Sequence, residues 1–193
     1  WRAGSPGITI GGGVILDTAP QRTRVKKREK ADWLRQLETL SPAGAALAFL
    51  EKEETATSLQ ELSIRLGNTP ETVKSLLAEP MKKGEVLSLG AGVDALLIAQ
   101  SRFRFLEERA HKELAAFFAS QPHRLFMPRE ELRSRLSAGL DAQLFEKLLE
   151  KLSHGAKAEV SREGVSLAGR SAGITDAQKS LKKDIEKLFH DAG

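Results

Sequence analysis

The densest chemistry in the sequence is cationic. Gln21–Lys30 reads QRTRVKKREK, and Arg22, Arg24, Lys26, Lys27, Arg28 and Lys30 could each neutralise a phosphate, giving salt-dependent binding. The other reading of this tract is a solvated linker ahead of a helix. A second basic group, Arg124, Arg129, Arg133 and Arg135, surrounds a helical stretch, with Arg129 and Arg133 four apart on one face. Guanidinium forks suit phosphate oxygens. Arg102, Arg104 and Arg109 lie in the helix before. The competing reading for both groups is pairing on the helix surface with Glu107, Glu108, Glu130 and Glu131. The candidate phosphate contacts are therefore Arg22, Arg24, Lys26, Lys27, Arg28, Arg129 and Arg133.

Other chemistries find no residues. Cysteine is absent, which excludes disulfides, thiolate metal sites and a cysteine nucleophile. His111, His123, His154 and His190 have no metal-ligand spacing, so no metal site is expected. Gly11-Gly12-Gly13 lacks the lysine and hydroxyl of a phosphate loop and does not match the dinucleotide fingerprint. No catalytic constellation is visible, and the chain reads as a non-enzyme without a cofactor of its own. Tyrosine is also absent and aromatics are 5%, too few for a surface that stacks bases on several rings.

The elements that must position the basic groups follow from length and periodicity. At 193 residues the chain has room for one or two domains. With 40% hydrophobic and 29% charged residues it has an ordinary globular composition. The net charge of +4 is uneven: residues 1–30 carry seven positive and two negative groups, residues 31–101 six and ten. No apolar run reaches membrane-spanning length, and no signal peptide is seen. The opening at Trp1 rather than Met reads as a piece of a longer chain.

Ile8–Ile10 and Val14–Leu16 read as short strands around the glycine run, belonging to a sheet whose remainder lies elsewhere. Glu29–Leu40 reads as a helix carrying Trp33, Leu34, Leu37 and Leu40 at helical spacing. Ser41-Pro42 caps and opens the next. Ser58 caps a short helix stopped by Gly67, and Thr69-Pro70 opens another. Pro80 should kink or stop that one near Glu79, because proline removes a donor and clashes one turn back. Strands at Glu85–Leu89 and Val93–Ala99 follow. Downstream the order recurs: helices at Arg104–Ser120, at Pro128–Leu136 and after Asp141, then strands at Lys157–Arg162 and Val165–Ala168.

Overlaying the copies matches Leu47 with Leu114 at an offset of 67, Leu62 and Leu66 with Leu132 and Leu136 at 70, and Val73, Leu77, Met81 and Gly84 with Leu144, Leu148, Leu152 and Gly155 at 71. Three helices and a hairpin make the winged-helix arrangement. The expected fold is mainly α (α+β), as tandem winged-helix modules of three helices plus a β-hairpin wing. The expected organisation is the end of a β-barrel at 1–20, a basic linker at 21–30, module 1 at 31–100, module 2 at 101–169, and the first helix of a third module at 174–193. The third helices are not basic readers: Glu71, Lys74, Glu79, Lys82 and Lys83 sum to +1, and Asp141, Glu146, Lys147, Glu150 and Lys151 to −1.

Ser5-Pro6, Thr9–Gly13, Val14–Asp17 and Pro20 ahead of a basic tract resemble the end of the last barrel domain of the bacterial selenocysteine-specific translation elongation factors, the SelB family. Leu59–Leu62 with Leu66-Gly67, and Met127–Leu136, are similar to the first and second of the family's four winged-helix modules; Ile174–Phe189 looks like the start of the third. The resemblance implies a cytoplasmic factor whose GTPase body binds GTP with Mg²⁺ outside this sequence. It implies RNA partners through the whole factor: an mRNA hairpin that recodes UGA, selenocysteinyl-tRNA and the ribosome. It also implies that the hairpin is read by the last module, so this monomeric piece is a spacer between body and tip. A tandem winged-helix DNA-binding regulator and a protein–protein scaffold are the alternatives.

Overall fold

A computed structural model describes residues 11–20 and 27–169, with the Lys27 side chain excepted. The expected strand at Ile8–Ile10 and the expected helix at 174–193 lie outside these residues. The architecture is mixed α and β, and it divides into two units, Trp1–Arg102 and Phe103–Gly193.

Unit 1 contains α1 (Lys27–Thr39), α2 (Pro42–Lys52), β1 (Thr57–Ser58), α3 (Leu59–Leu66), α4 (Pro70–Lys82), β2 (Val86–Leu89) and β3 (Leu96–Ala99). It thus has one helix more than the three of a minimal module. Its caps are local. The hydroxyls of Ser41, Ser58 and Thr69 accept from the amides of Gly44, Glu61 and Thr72, and Gly67 ends α3 at φ +63°. Phe49, Leu50, Leu62, Val73, Leu77 and Leu97 form the core, with Leu16, Trp33 and Leu34 packed against it. Val14–Leu16 is not a strand, and Val14 and Ile15 are exposed. Among the described residues no strand pairs with them. The helix α1 ends at Thr39 rather than at the expected Leu40, which is exposed.

The sheet order is β1-β3-β2, antiparallel throughout. The expected strand from Val93 begins instead at Leu96. The carbonyls of Val93 and Ala95 are taken by the first amides of α3, from Gln60 and Leu59, each at 2.9 Å. Those amides are among the donors a helix start leaves unpaired.

The helix α4 runs through Pro80 to Lys82 rather than stopping at Glu79. Pro80 is buried and lies in the last turn, where its missing amide removes a single bond near the helix end.

Unit 2 holds α5 (Gln100–Ser120, which begins three residues before the division), α6 (Arg129–Leu136), α7 (Ala142–His154), β4 (Ala158–Val160) and β5 (Val165–Leu167). Leu106, Leu114, Phe117, Leu132, Leu144, Leu148 and Leu152 are buried. Asp141 caps α7 through the amides of Gln143 and Leu144. The single bridge Met127–Val165, with amide-to-carbonyl bonds of 2.8 and 2.9 Å, occupies the place that β1 holds in unit 1.

The internal correspondence differs from the expected one in register. The helices α4 and α7 both span 13 residues, their caps Thr69 and Asp141 are 72 apart, and so are their C-caps Lys83 and Gly155. The offset is therefore 72, not 71. Leu77 answers to Leu149, and Pro80 to Leu152. Adjacent apolar pairs in α7, Leu144-Phe145 and Leu148-Leu149, are all buried, so a one-residue slip still matched leucine to leucine. The left-handed position held by Gly84 (φ +71°) is held in unit 2 by Ala156 (φ +50°), not by Gly155.

Candidate nucleic-acid interface

In each unit a short helix (α3, α6) is followed by a 13-residue helix (α4, α7) and a hairpin. That order puts the second member of the pair where a helix-turn-helix protein presents its groove-reading residues. Of the five lysines there, two pair with a glutamate of their own helix. Lys82 Nζ lies 3.1 Å from Glu79 Oε1 on α4, and Lys147 Nζ 2.9 Å from Glu150 Oε2 on α7. The hydrogen bond from Lys147 holds the Glu150 carboxyl below its ordinary value. Lys74, Lys83 and Lys151 are exposed.

The sequence-derived phosphate candidates fall into two groups. Arg22, Arg24 and Lys26 lie outside the described residues. Lys27 opens α1, two residues before the expected helix start, and Arg28 is exposed on its first turn. Arg129 and Arg133 both face carboxylates or carbonyls. Arg129 Nη1 is 3.2 Å from Glu146 Oε1 on α7. Arg133 Nε donates to the Leu140 carbonyl at 2.9 Å, and its Nη1 lies 3.6 Å from Glu130 Oε2. Arg135 pairs with Glu131 at 2.7 Å and Glu113 at 3.8 Å. Glu130 and Glu131 are thus among the partners, while Glu146 and Glu113 replace the expected Glu107 and Glu108. Arg124 is exposed. Among the described residues no group of three or more acidic or histidine side chains could hold a metal ion. No described helix is long and apolar enough to cross a membrane.

Sequence reasoning missed the best-built polar cluster. Arg65, near the end of α3, has only 10% of its side chain exposed. Its Nη2 lies 3.1 Å from Asp17 Oδ2, its Nη1 is bonded to Glu53 Oε1, and its guanidinium carbon sits 4.5 Å from the Phe49 ring centre. Burial alone would lower the Arg65 pKa, but the bonds from Asp17 and Glu53 outweigh it and the group is held charged above its ordinary value. Burial, then the charge of Arg65, lowers the pKa of neighbouring Lys52, whose Nζ stands 4.2 Å over the Trp33 ring. The Arg102 Nε donates to the Glu53 carbonyl at 2.8 Å. No local spacing signals this cluster, because its members come from distant parts of the chain.

Residues 111–167 match the family model described as "Elongation factor SelB, winged helix". That span runs from the middle of α5 to the end of β5, and it includes the Met127–Leu136 stretch on which the resemblance to that family rests. Among solved structures, the mRNA-binding domain of elongation factor SelB from E. coli in complex with SECIS RNA is similar at 12% identity and a TM-score of 0.44, covering 66% of this chain and 98% of that one. No curated protein matches the chain.

Proposed function

We propose that this chain is a tandem winged-helix spacer of a selenocysteine-specific elongation factor, joining its GTPase and tRNA-binding body to the tip that reads the mRNA hairpin. The match of residues 111–167 to the SelB winged-helix family carries this reading. The recurrence of its element order in unit 1 supports the tandem arrangement. The near-balanced charges of α4 and α7, with Lys82 and Lys147 paired to Glu79 and Glu150, support the spacer role, since a nucleic-acid-reading helix carries a cationic excess. In this reading the chain works in the cytoplasm and its partners are RNA, reached through the whole factor. In the same reading GTP and Mg²⁺ belong to the body; Gly11-Gly12-Gly13 lacks the lysine and hydroxyl such a site needs.

The test is titration of the chain with the cognate hairpin and with a scrambled hairpin at physiological salt. Weak, equal and strongly salt-dependent binding is expected. Tight binding of the cognate hairpin alone would make these units readers. A two-fold footprint on duplex DNA would favour a DNA-binding regulator instead. Replacing Arg22, Arg24, Lys26, Lys27 and Arg28 by Gln should flatten the salt slope.

A further inference from the structure

Leu16–Ala19 forms no helix or strand, yet every residue of it has a defined contact. Leu16 packs against the core of unit 1. Asp17 pairs with buried Arg65, and its other oxygen accepts from the Ala19 amide at 3.1 Å. The Thr18 amide donates to the Arg65 carbonyl at 3.0 Å, and its hydroxyl donates to the Ile64 carbonyl. Both carbonyls belong to the last turn of α3, where a helix leaves acceptors unpaired. That of Ile64 also accepts from the Gly67 amide, so that of Arg65 is the one Thr18 serves alone. A Cβ on Gly67 would come within 3.1 Å of the Thr18 methyl, so the C-cap leaves room for this segment. The segment therefore satisfies backbone acceptors, a buried cation and the core edge together.

We propose that Leu16–Ala19 is a strap that locks the incoming chain onto the end of α3, so that the rigid body of unit 1 begins at residue 16 rather than at α1. Glu53 is the node of the lock. Its carboxylate meets the same Arg65 that holds Asp17, while its carbonyl receives Arg102, the last residue of unit 1. The strap and the last residue of unit 1 are thus tied through one residue. The inference stands on unit 1 alone and holds whichever ligand the chain serves.

The test uses the whole 193-residue chain, whose lack of cysteine allows two clean labels. Spin labels on Val14→Cys and Lys74→Cys, both exposed positions, should give a narrow distance distribution. The double substitution Asp17→Asn with Thr18→Val should broaden it and speed exchange of the residue-18 amide roughly 100-fold. The Val73 and Leu77 amides of α4 should keep their protection, which separates release of the strap from unfolding. Arg65 is left intact here because its loss strands Glu53 as well. A broad distribution in the parent, or a double variant that changes neither readout, would overturn the strap.

Discussion

In unit 1 the guanidinium of Arg65 has 10% of its side chain exposed and meets two carboxylates from separate segments. In unit 2 Arg129, Arg133 and Arg135 keep 36%, 32% and 37% of theirs in water, and two of their four carboxylate partners, Glu130 and Glu131, lie three or four residues away on the same helix. The same ion-pair chemistry thus does two jobs. In water it contributes little, because solvent competes for both charges. Out of water neither partner can be spared, because the remaining charge has nowhere to go.

The largest test of that contrast is Arg65→Met set against Arg135→Met. Leaving Asp17 and Glu53 facing each other should cost unit 1 about 3–5 kcal/mol in urea unfolding. The unit 2 change should cost under about 1 kcal/mol. Equal losses would erase the distinction.

A second difference lies in how each wing is held. In unit 1 the two-residue strand β1 pairs with β3, and α3 amides extend the contact. In unit 2 the bridge at Met127 stands alone, and a Cβ on Gly164 would lie 2.3 Å from the Met127 carbonyl oxygen. Gly164→Ala should therefore destabilise unit 2 by about 1–3 kcal/mol, read from its melting midpoint. In unit 1 the corresponding residue is Leu96, paired with Ser58, and Leu96→Ala should be milder.

Capping gives a smaller contrast. Ser58 caps α3, whereas Pro128 at the same place before α6 makes no side-chain bond. Ser58→Ala should cost about 1 kcal/mol. Pro128→Ser should come out within about 0.5 kcal/mol of neutral, since the new cap offsets the added freedom of the unfolded chain.

The smallest effect is alkaline. Lys52 has a folded pKa below its ordinary value, so between the two values the unfolded chain binds more protons and stability rises with pH. Unfolding midpoints measured upward from pH 8 should show this rise, and Lys52→Met should flatten it.

The parts legible in sequence are those fixed by near neighbours. Ser41-Pro42, Thr69-Pro70, Asp141 and Gly67 act within four residues, and each marks a helix end where the spacing says it should. Pairs joined across the chain were not legible. A two-residue strand such as β1 has no period, and Met127 is a single bridge. Asp17, Glu53 and Arg65 carry ordinary surface residue types, and only the fold takes them out of water. The slip from 72 to 71 has the same root, because doubled apolar positions in α7 leave periodicity unable to choose. For Arg129 and Arg133 the spacing offers pairing on the helix surface as well as phosphate contact. Glu146 and the Leu140 carbonyl come from outside their helix and are not among the partners it can name.

The bridges Thr57–Leu97 and Met127–Val165 also bear on folding kinetics. Each joins the residue before a helix pair to the final strand of the hairpin after it, so the loop it closes contains both helices. The loop-closure entropy is recovered only after the helices and hairpin have formed. These contacts should therefore form late, on the native side of the transition state. Weakening them should speed unfolding and leave the folding rate nearly unchanged.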